Sequence, residues 1–327
     1  MIWSRFFHIL TFGICGAVLL ASVSLGVGRH TLSLSARTSE TVYLYIEPGD
    51  GLKGIAHKAR KLGLVVRPWH FVAGARLLAK ETTLQAGEYA IEPHAKLQDI
   101  IEKIAAGDVY YRKLAVPEGL SVAQVEALLF EASGLDWEGY SSPEEGSLLP
   151  ETYFYTRGEK ASSLVARMQK NMQSALDKLW QERAPDLPIL NKAEALVLAS
   201  IVEKETGVPA ERGLVAAVFT NRLKRHMRLQ SDPTVVYGIT MGQPLGRRLT
   251  SGDLKEETAF NTYRIHGLPP TPISNPGLDS VAAVLTPSDA DYLYFVADGN
   301  GGHAFAKTLR EHNRNVARWR RIRDAEK

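Results

Sequence analysis

The sequence predicts an α+β chain with an amino-terminal transmembrane helix, then small α/β modules, then a helix-rich domain. Three observations carry this. Phe6 to Gly28 is an almost unbroken apolar run; a strand–turn–helix pattern recurs three times after Thr41; and from about Ser162 long helical patterns follow one another across a Pro-bearing loop. At 327 residues and 45% hydrophobic content the chain can fill about two domains.

The apolar run, "FFHILTFGICGAVLLASVSLGVG", has His8 as its one ionisable side chain. It is long enough to cross a hydrocarbon core of roughly 30 Å. It exceeds the usual length of a cleaved signal's apolar region, and no clear A-x-A site follows. An uncleaved anchor is therefore expected at residues 6–28, behind a tail at 1–5. Arg5 lies on one side of the run and Arg29 and Arg37 on the other, so charge alone does not orient it. Cys15 follows Ile14 and not the small residue of a lipobox, and as the single cysteine it excludes a disulfide framework and multi-cysteine metal sites. The polar "RHTLSLSARTSE", residues 29–40, reads as a stalk.

The modules occupy residues 41–158. "VYLYIEPGDGLKGIAHKARKLGLV", "GEYAIEPHAKLQDIIEKIAAGDV" and "YRKLAVPEGLSVAQVEALLFEASGL" each join an alternating strand, a Pro-containing turn and an amphipathic helix, as at Leu97, Ile100, Ile101 and Ile104. Such units resemble the LysM type of carbohydrate-binding module. The turns fit a grip on glycan and a mere spacer equally well. The helix-rich domain is expected at 159–327. With 39 basic and 36 acidic residues the net charge is +3, which calls for no nucleic acid; the basic "RNVARWRRIRDAEK" reads as a solvated helix face.

Within that domain "AEALVLASIVEKETG" places Ala195, Leu198, Ile201 and Val202 on one helical stripe, which Glu205 continues four residues after Ile201. Glu203 lies about 160° around the helix from Glu205, and so is expected, with Lys204, to face solvent. Gly207 and Pro209 put Glu205 in the last turn, where the helix dipole and partial burial both disfavour a charged carboxylate. A raised pKa suits a general acid.

Further on, "MRLQSDPTVVYGI" offers Gln230, and Asp232 before Pro233, where it also suits a helix N-cap. "AFNTYRIHGLPPTPISNPG" carries Asn261, Thr262, Tyr263 and Asn275 on a stiffened loop. Amides, hydroxyls and an aromatic ring are groups that hold a sugar. "YLYFVADGNGGHAF" reads as a hairpin. The nine histidines are scattered, so His266 and His303 are expected as loop or substrate-side residues and no metal site or cofactor is called for. S-x-x-K and Walker patterns are absent.

These segments, taken in order, closely resemble the endolytic murein transglycosylase (YceG-like) family, from about Thr41 to Asn315. The resemblance implies a single-pass protein of the inner (plasma) membrane, with its catalytic domain on the outer, periplasmic side and lysozyme-like in character. It implies endolytic cleavage of the MurNAc–GlcNAc β-1,4 bond of peptidoglycan strands to 1,6-anhydroMurNAc ends, beside the synthases. Glu205 falls on the family's catalytic glutamate, its "KET" resembling the Glu-Ser element of lytic transglycosylases. "FNTY" resembles their Tyr-Asn motif in altered order. Gln230, Asp232, Asn261, Tyr263 and Asn275 are the substrate-side candidates. A hydrolytic muramidase, for which Asp232, Asp253 or Glu257 could partner Glu205, and a membrane-tethered glycan-binding scaffold are the alternatives.

Overall fold

A computed structural model describes Cys15, Leu19, residues 22–24 and residues 26–325. Most of the anchor expected at 6–28, and all of the 1–5 tail, lie outside these residues. Among the described residues no helix is long and apolar enough to cross a membrane. The chain divides into two compact units, Met1–Arg112 and Lys113–Lys327.

The first unit is built as strand, two helices, strand, helix: β1 (Val42–Ile46), α1 (Leu52–Lys61), α2 (Pro68–Leu77), β2 (Gly87–Ile91) and α3 (Leu97–Ala106). The strands pair antiparallel from Val42 opposite Ile91 to Ile46 opposite Gly87. Their period-2 alternation sends Leu44, Ile46, Tyr89 and Ile91 into a core shared with Ile55, Ala59, Phe71, Leu97, Ile100, Ile101 and Ile104. The apolar stripe expected on α3 is thus the one that is buried, and the helix ends at Gly107, whose φ of 69° is the left-handed stop that glycine permits. Helix α2 was not foreseen. Its missing side chain at Gly74 lets it lie close to α3, since a Cβ there would stand 2.9 Å from Ile101.

Residues 34–37 correct the expected stalk. Leu97 N–H donates to the Leu34 carbonyl (2.8 Å), Ala36 N–H to Ala95 (2.9 Å) and Arg37 N–H to Gly63 (3.0 Å), and Ala36 is in the core. "LSLSA" has the alternation of a short strand, and edge pairing satisfies backbone groups that a free linker would leave to water.

The boundary also differs from the one read near Gly158. The third strand–helix repeat, β3 (Arg112–Ala115) with α4 (Val122–Glu131), belongs with the second unit, because β3 pairs with β4 (Thr152–Tyr155) and not with β1 or β2. The change of texture at 158 is only the start of α5 (Ala161–Gln181). That helix gives Leu164, Val165 and Met168 to a core with Leu114, Val125, Leu129 and Tyr155, and Leu176 to a second core, so the two cannot separate there.

The second core surrounds α6 (Lys192–Glu205), packed by α7 (Arg212–Lys224) and α9 (Leu278–Leu285), with α8 (Asp232–Thr240) against its end. Asn191 caps α6, its side chain accepting from Glu194 N–H at 2.9 Å. A hairpin, β5 (Tyr294–Ala297) and β6 (His303–Ala306), follows, then α10 (Leu309–Ala325), which buries none of its residues.

One buried ion pair bears on the first unit's stability. The Glu88 carboxylate is fully enclosed and takes two hydrogen bonds from Arg112, at 2.8 and 2.9 Å. Arg112→Ala is expected to cost about 3–5 kcal/mol in chemical denaturation, because it strands a buried charge.

Candidate active site

Helix α6 is buried around most of its circumference: Ala195 and every residue from Val197 to Val202 are inside. Its last turn is therefore open to solvent chiefly at Lys204. Glu203 corrects the sequence reading, since its side chain is only 7% exposed, accepts from Gly277 N–H at 3.0 Å and lies 3.8 Å from Arg212. Lys204 is exposed, with its Nζ donating to the Gly119 carbonyl at 3.1 Å. Burial of the outer face was not legible because it depends on the segments at 118–120 and 273–277, distant in sequence.

Glu205 is the last residue of α6, as expected, and the chain leaves through an extended Thr206. The Ser231 hydroxyl donates to its Oε1 at 2.5 Å. Burial pushes its carboxyl up to about 7; the Ser231 bond opposes this, the Asp232 charge adds to it, and His303 and Arg222 pull it down. The result is a carboxyl that keeps its proton close to neutral pH.

The turn that faces it is over-determined. Ser231 stands at the N-cap of α8 but caps nothing; its hydroxyl goes to Glu205 instead. The turn is held by Ser231 N–H donating to Thr262 Oγ1 (2.9 Å) and Thr234 Oγ1 donating to the Ser231 carbonyl (2.7 Å), with Thr234 and Thr262 2.8 Å apart. Buried Arg222 clamps the preceding residues, donating from Nη1 to the Leu229 carbonyl at 2.8 Å and to Gln230 Oε1 at 3.3 Å, and from Nε to Leu293 at 2.7 Å. Gln230 itself sits at φ 54°, a strained value for a residue with a side chain.

Three of the substrate-side candidates gather here. Gln230 and Asp232 are exposed beside Ser231, and the Tyr263 hydroxyl donates to Asp232 Oδ1 at 2.6 Å, its own pKa raised by burial and by that carboxylate. Asp232 is the first helical residue and not the N-cap. A cleft of about 360 Å³ lined by Lys204, Asp232, Pro233, Tyr237, Gln243 and Ile273, among others, opens beside them.

The other two do not. Asn261 is wholly buried, its Nδ2 donating to the Glu256 carbonyl at 2.6 Å and its Oδ1 accepting from Tyr263 N–H at 3.0 Å. Asn275 is wholly buried too, between Leu148 N–H and the Leu120 carbonyl, each at 3.0 Å. Both amides hold loops, and the sequence could not separate that use from sugar binding because both need the same side chain.

Of the other carboxylates considered as partners, Asp253 is held by Arg247 and Thr250, which keep its pKa far below the usual range, and Glu257 pairs with Arg264 at the surface. His266 is exposed, its Nδ1 3.2 Å from the His226 carbonyl. His303 is fixed by Glu211, 2.7 Å from its Nδ1. Among the described residues no group of three or more His, Cys, Asp or Glu gathers as a metal site. Ser231 and Arg222 were missed, although Arg222 left a signal: it continues the buried stripe of Val215 and Phe219, where an unpaired charge is costly.

A largely buried carboxyl with its pKa raised to about 7, held by one hydroxyl beside exposed polar side chains, is the arrangement of an acid–base enzyme. The chain belongs to the YceG-like family, whose model matches residues 44–318. An endolytic murein transglycosylase of Bacillus subtilis is 30% identical, with 88% of this chain and 87% of that protein aligned. One from Streptococcus pneumoniae is 27% identical over 95% of this chain, which spans 65% of that longer protein. The crystal structure of a YceG-like protein from Listeria monocytogenes is similar over 85% of this chain and 99% of its own, with a TM-score of 0.52 and 29% identity.

Two expectations follow. If the protonated Glu205 is the working form, activity holds below about pH 7 and falls as pH rises through it; Ser231→Ala, by removing a bond that favours the carboxylate, moves that fall upward by about one unit in a pH–rate profile. Asn275→Ala costs about 1–3 kcal/mol of stability by stranding buried partners and leaves KM unchanged in the folded fraction.

Proposed function

We propose that this chain is an endolytic peptidoglycan lytic transglycosylase with Glu205 as its general acid and then its general base. The observation that carries the reading is the Glu205 carboxyl, which keeps its proton close to neutral pH against the Ser231 hydroxyl, with the exposed Gln230 and Asp232 on either side of that serine. The names borne by its relatives support the reaction class.

In the first step Glu205 gives its proton to the glycosidic oxygen of a MurNAc–GlcNAc bond. The C–O bond breaks, GlcNAc leaves with a free hydroxyl, and positive character develops at the MurNAc C1. The MurNAc C6 hydroxyl then attacks C1, and its proton passes to the Glu205 carboxylate. The products carry the same atoms as the substrate, with a 1,6-anhydro ring at the new end. The Ser231 hydroxyl steadies the carboxylate between the two transfers, a role suited to its 2.5 Å contact. The exposed Gln230 and Asp232 and the partly buried Tyr263 are the groups proposed to meet the sugars.

The strand–helix–helix–strand order of residues 42–91 supports a LysM-like module that meets glycan. The apolar run at 6–28 supports anchorage in the plasma membrane with the catalytic unit outside, where it would meet new strands near the synthases and limit their length.

The presence of Asp232 close enough to raise the Glu205 pKa favours the hydrolytic muramidase as second reading, because a carboxylate there can activate water. Mass spectrometry of digested peptidoglycan separates the two: anhydro ends from internal attack, reducing ends one water heavier from hydrolysis. Glu205→Gln is expected to stay folded and to release neither product, with a loss of at least about a hundredfold in rate. A normal release of anhydro ends by that variant would refute the assignment of Glu205.

A further inference from the structure

The apolar run does not end in a free linker. Residues 26–32 are helical and lie against the first unit: a Cβ at Gly28 would stand 3.5 Å from Leu77, and one at Gly74 would stand 3.5 Å from Leu32. Residues 34–37 are then hydrogen-bonded to Ala95, Leu97 and Gly63, with Leu97 at the start of α3. From Gly28 to Arg37 the chain has no slack, so whatever surface the run enters must lie close to α2.

Helix α2 is apolar on its free side. Trp69, Ala73 and Leu77 recur at four-residue spacing and form one stripe. Trp69 is 52% exposed and Leu77 55%, and Val66, just ahead of the helix, is exposed too. Phe71, Gly74 and Ala75 make the opposite, buried side, so the stripe is surplus to the core. The charged residues around it are largely basic: Arg29, Arg67, Arg76 and Lys80 are exposed, and among the described residues Arg76 is the one of these four in an ion pair, with Glu81 at 3.1 Å. An apolar stripe containing Trp, rimmed by Arg and Lys, matches the interfacial layer of a bilayer with anionic headgroups, where the indole sits at headgroup depth and the cations meet phosphates.

We propose that the α2 stripe of the first unit docks on the outer surface of the same membrane that the run at 6–28 enters, with anionic lipid headgroups as its ligand. The inference rests on the anchoring reading above. Its consequence is that the first unit is held flat on the lipid and does not swing on a tether.

The test uses the full chain with Cys15→Ser, reconstituted in lipid nanodiscs that contain brominated acyl chains and either anionic or only zwitterionic headgroups. Single cysteines at Trp69→Cys, Leu77→Cys and Tyr43→Cys carry an environment-sensitive fluorophore. Tyr43 lies on the outer face of the β1–β2 sheet, on the side away from the helices, and serves as the control. Probes at 69 and 77 are expected to be quenched at least twofold more than the probe at 43 in anionic discs, and less in zwitterionic discs. A chain retained on discs with all three probes equally quenched overturns the docked face alone. A chain that is not retained overturns the anchoring and the docking with it. Equal quenching at 69 and 77 in both lipids overturns the headgroup preference.

Discussion

The second unit depends on the burial of α6. A helix packed on almost every side cannot end in an ordinary solvated turn, and its last residue inherits the low dielectric of the core behind it. For Glu205 this disfavours the carboxylate; for Glu203, one turn position away, it requires Arg212 and a backbone N–H as partners. The same constraint thus raises the pKa of one glutamate and makes the other a structural pin. Arg212, which also bonds Asp279 on α9 at 3.1 Å, ties the helix that follows the site to the one beneath it.

The turn opposite is arranged to tolerate strain. Ser231 gives up its capping bond, Gln230 accepts a left-handed backbone, and Arg222 and the Thr234–Thr262 pair hold both in place. Local rules broken together, and compensated by buried hydrogen bonds, are what a site built for chemistry looks like. The Asn261 amide supports this from the next loop, holding the Glu256 carbonyl and the Tyr263 N–H while the Tyr263 hydroxyl reaches Asp232; Asn275 ties its own loop to Leu120 and Leu148.

A different division of labour holds in the first unit. Its core is complete without the outer side of α2, and the pinned segment at 34–37 brings the end of the apolar run to that side. The composition of "RHTLSLSARTSE" suggested a loose tether, and the hydrogen bonds make it part of the module.

How much of this was legible follows from the range of each interaction. Periodicity is local, so the stripe on α3, the strand–helix units and the end of α6 at Glu205 could be read from residues a few positions apart. The mixed α+β character was legible for the same reason. What the tertiary structure decided were matters of long-range contact: that β3 joins β4 and moves the boundary to Arg112, that Glu203 is buried, that Asn261 and Asn275 hold loops, and that Ser231, 26 residues on from Glu205, is the residue that touches it. A sequence states which groups can donate, accept or titrate. Only the packing states which of them lose water and which neighbour replaces it, and that exchange sets whether a carboxyl is a salt-bridge partner or an acid.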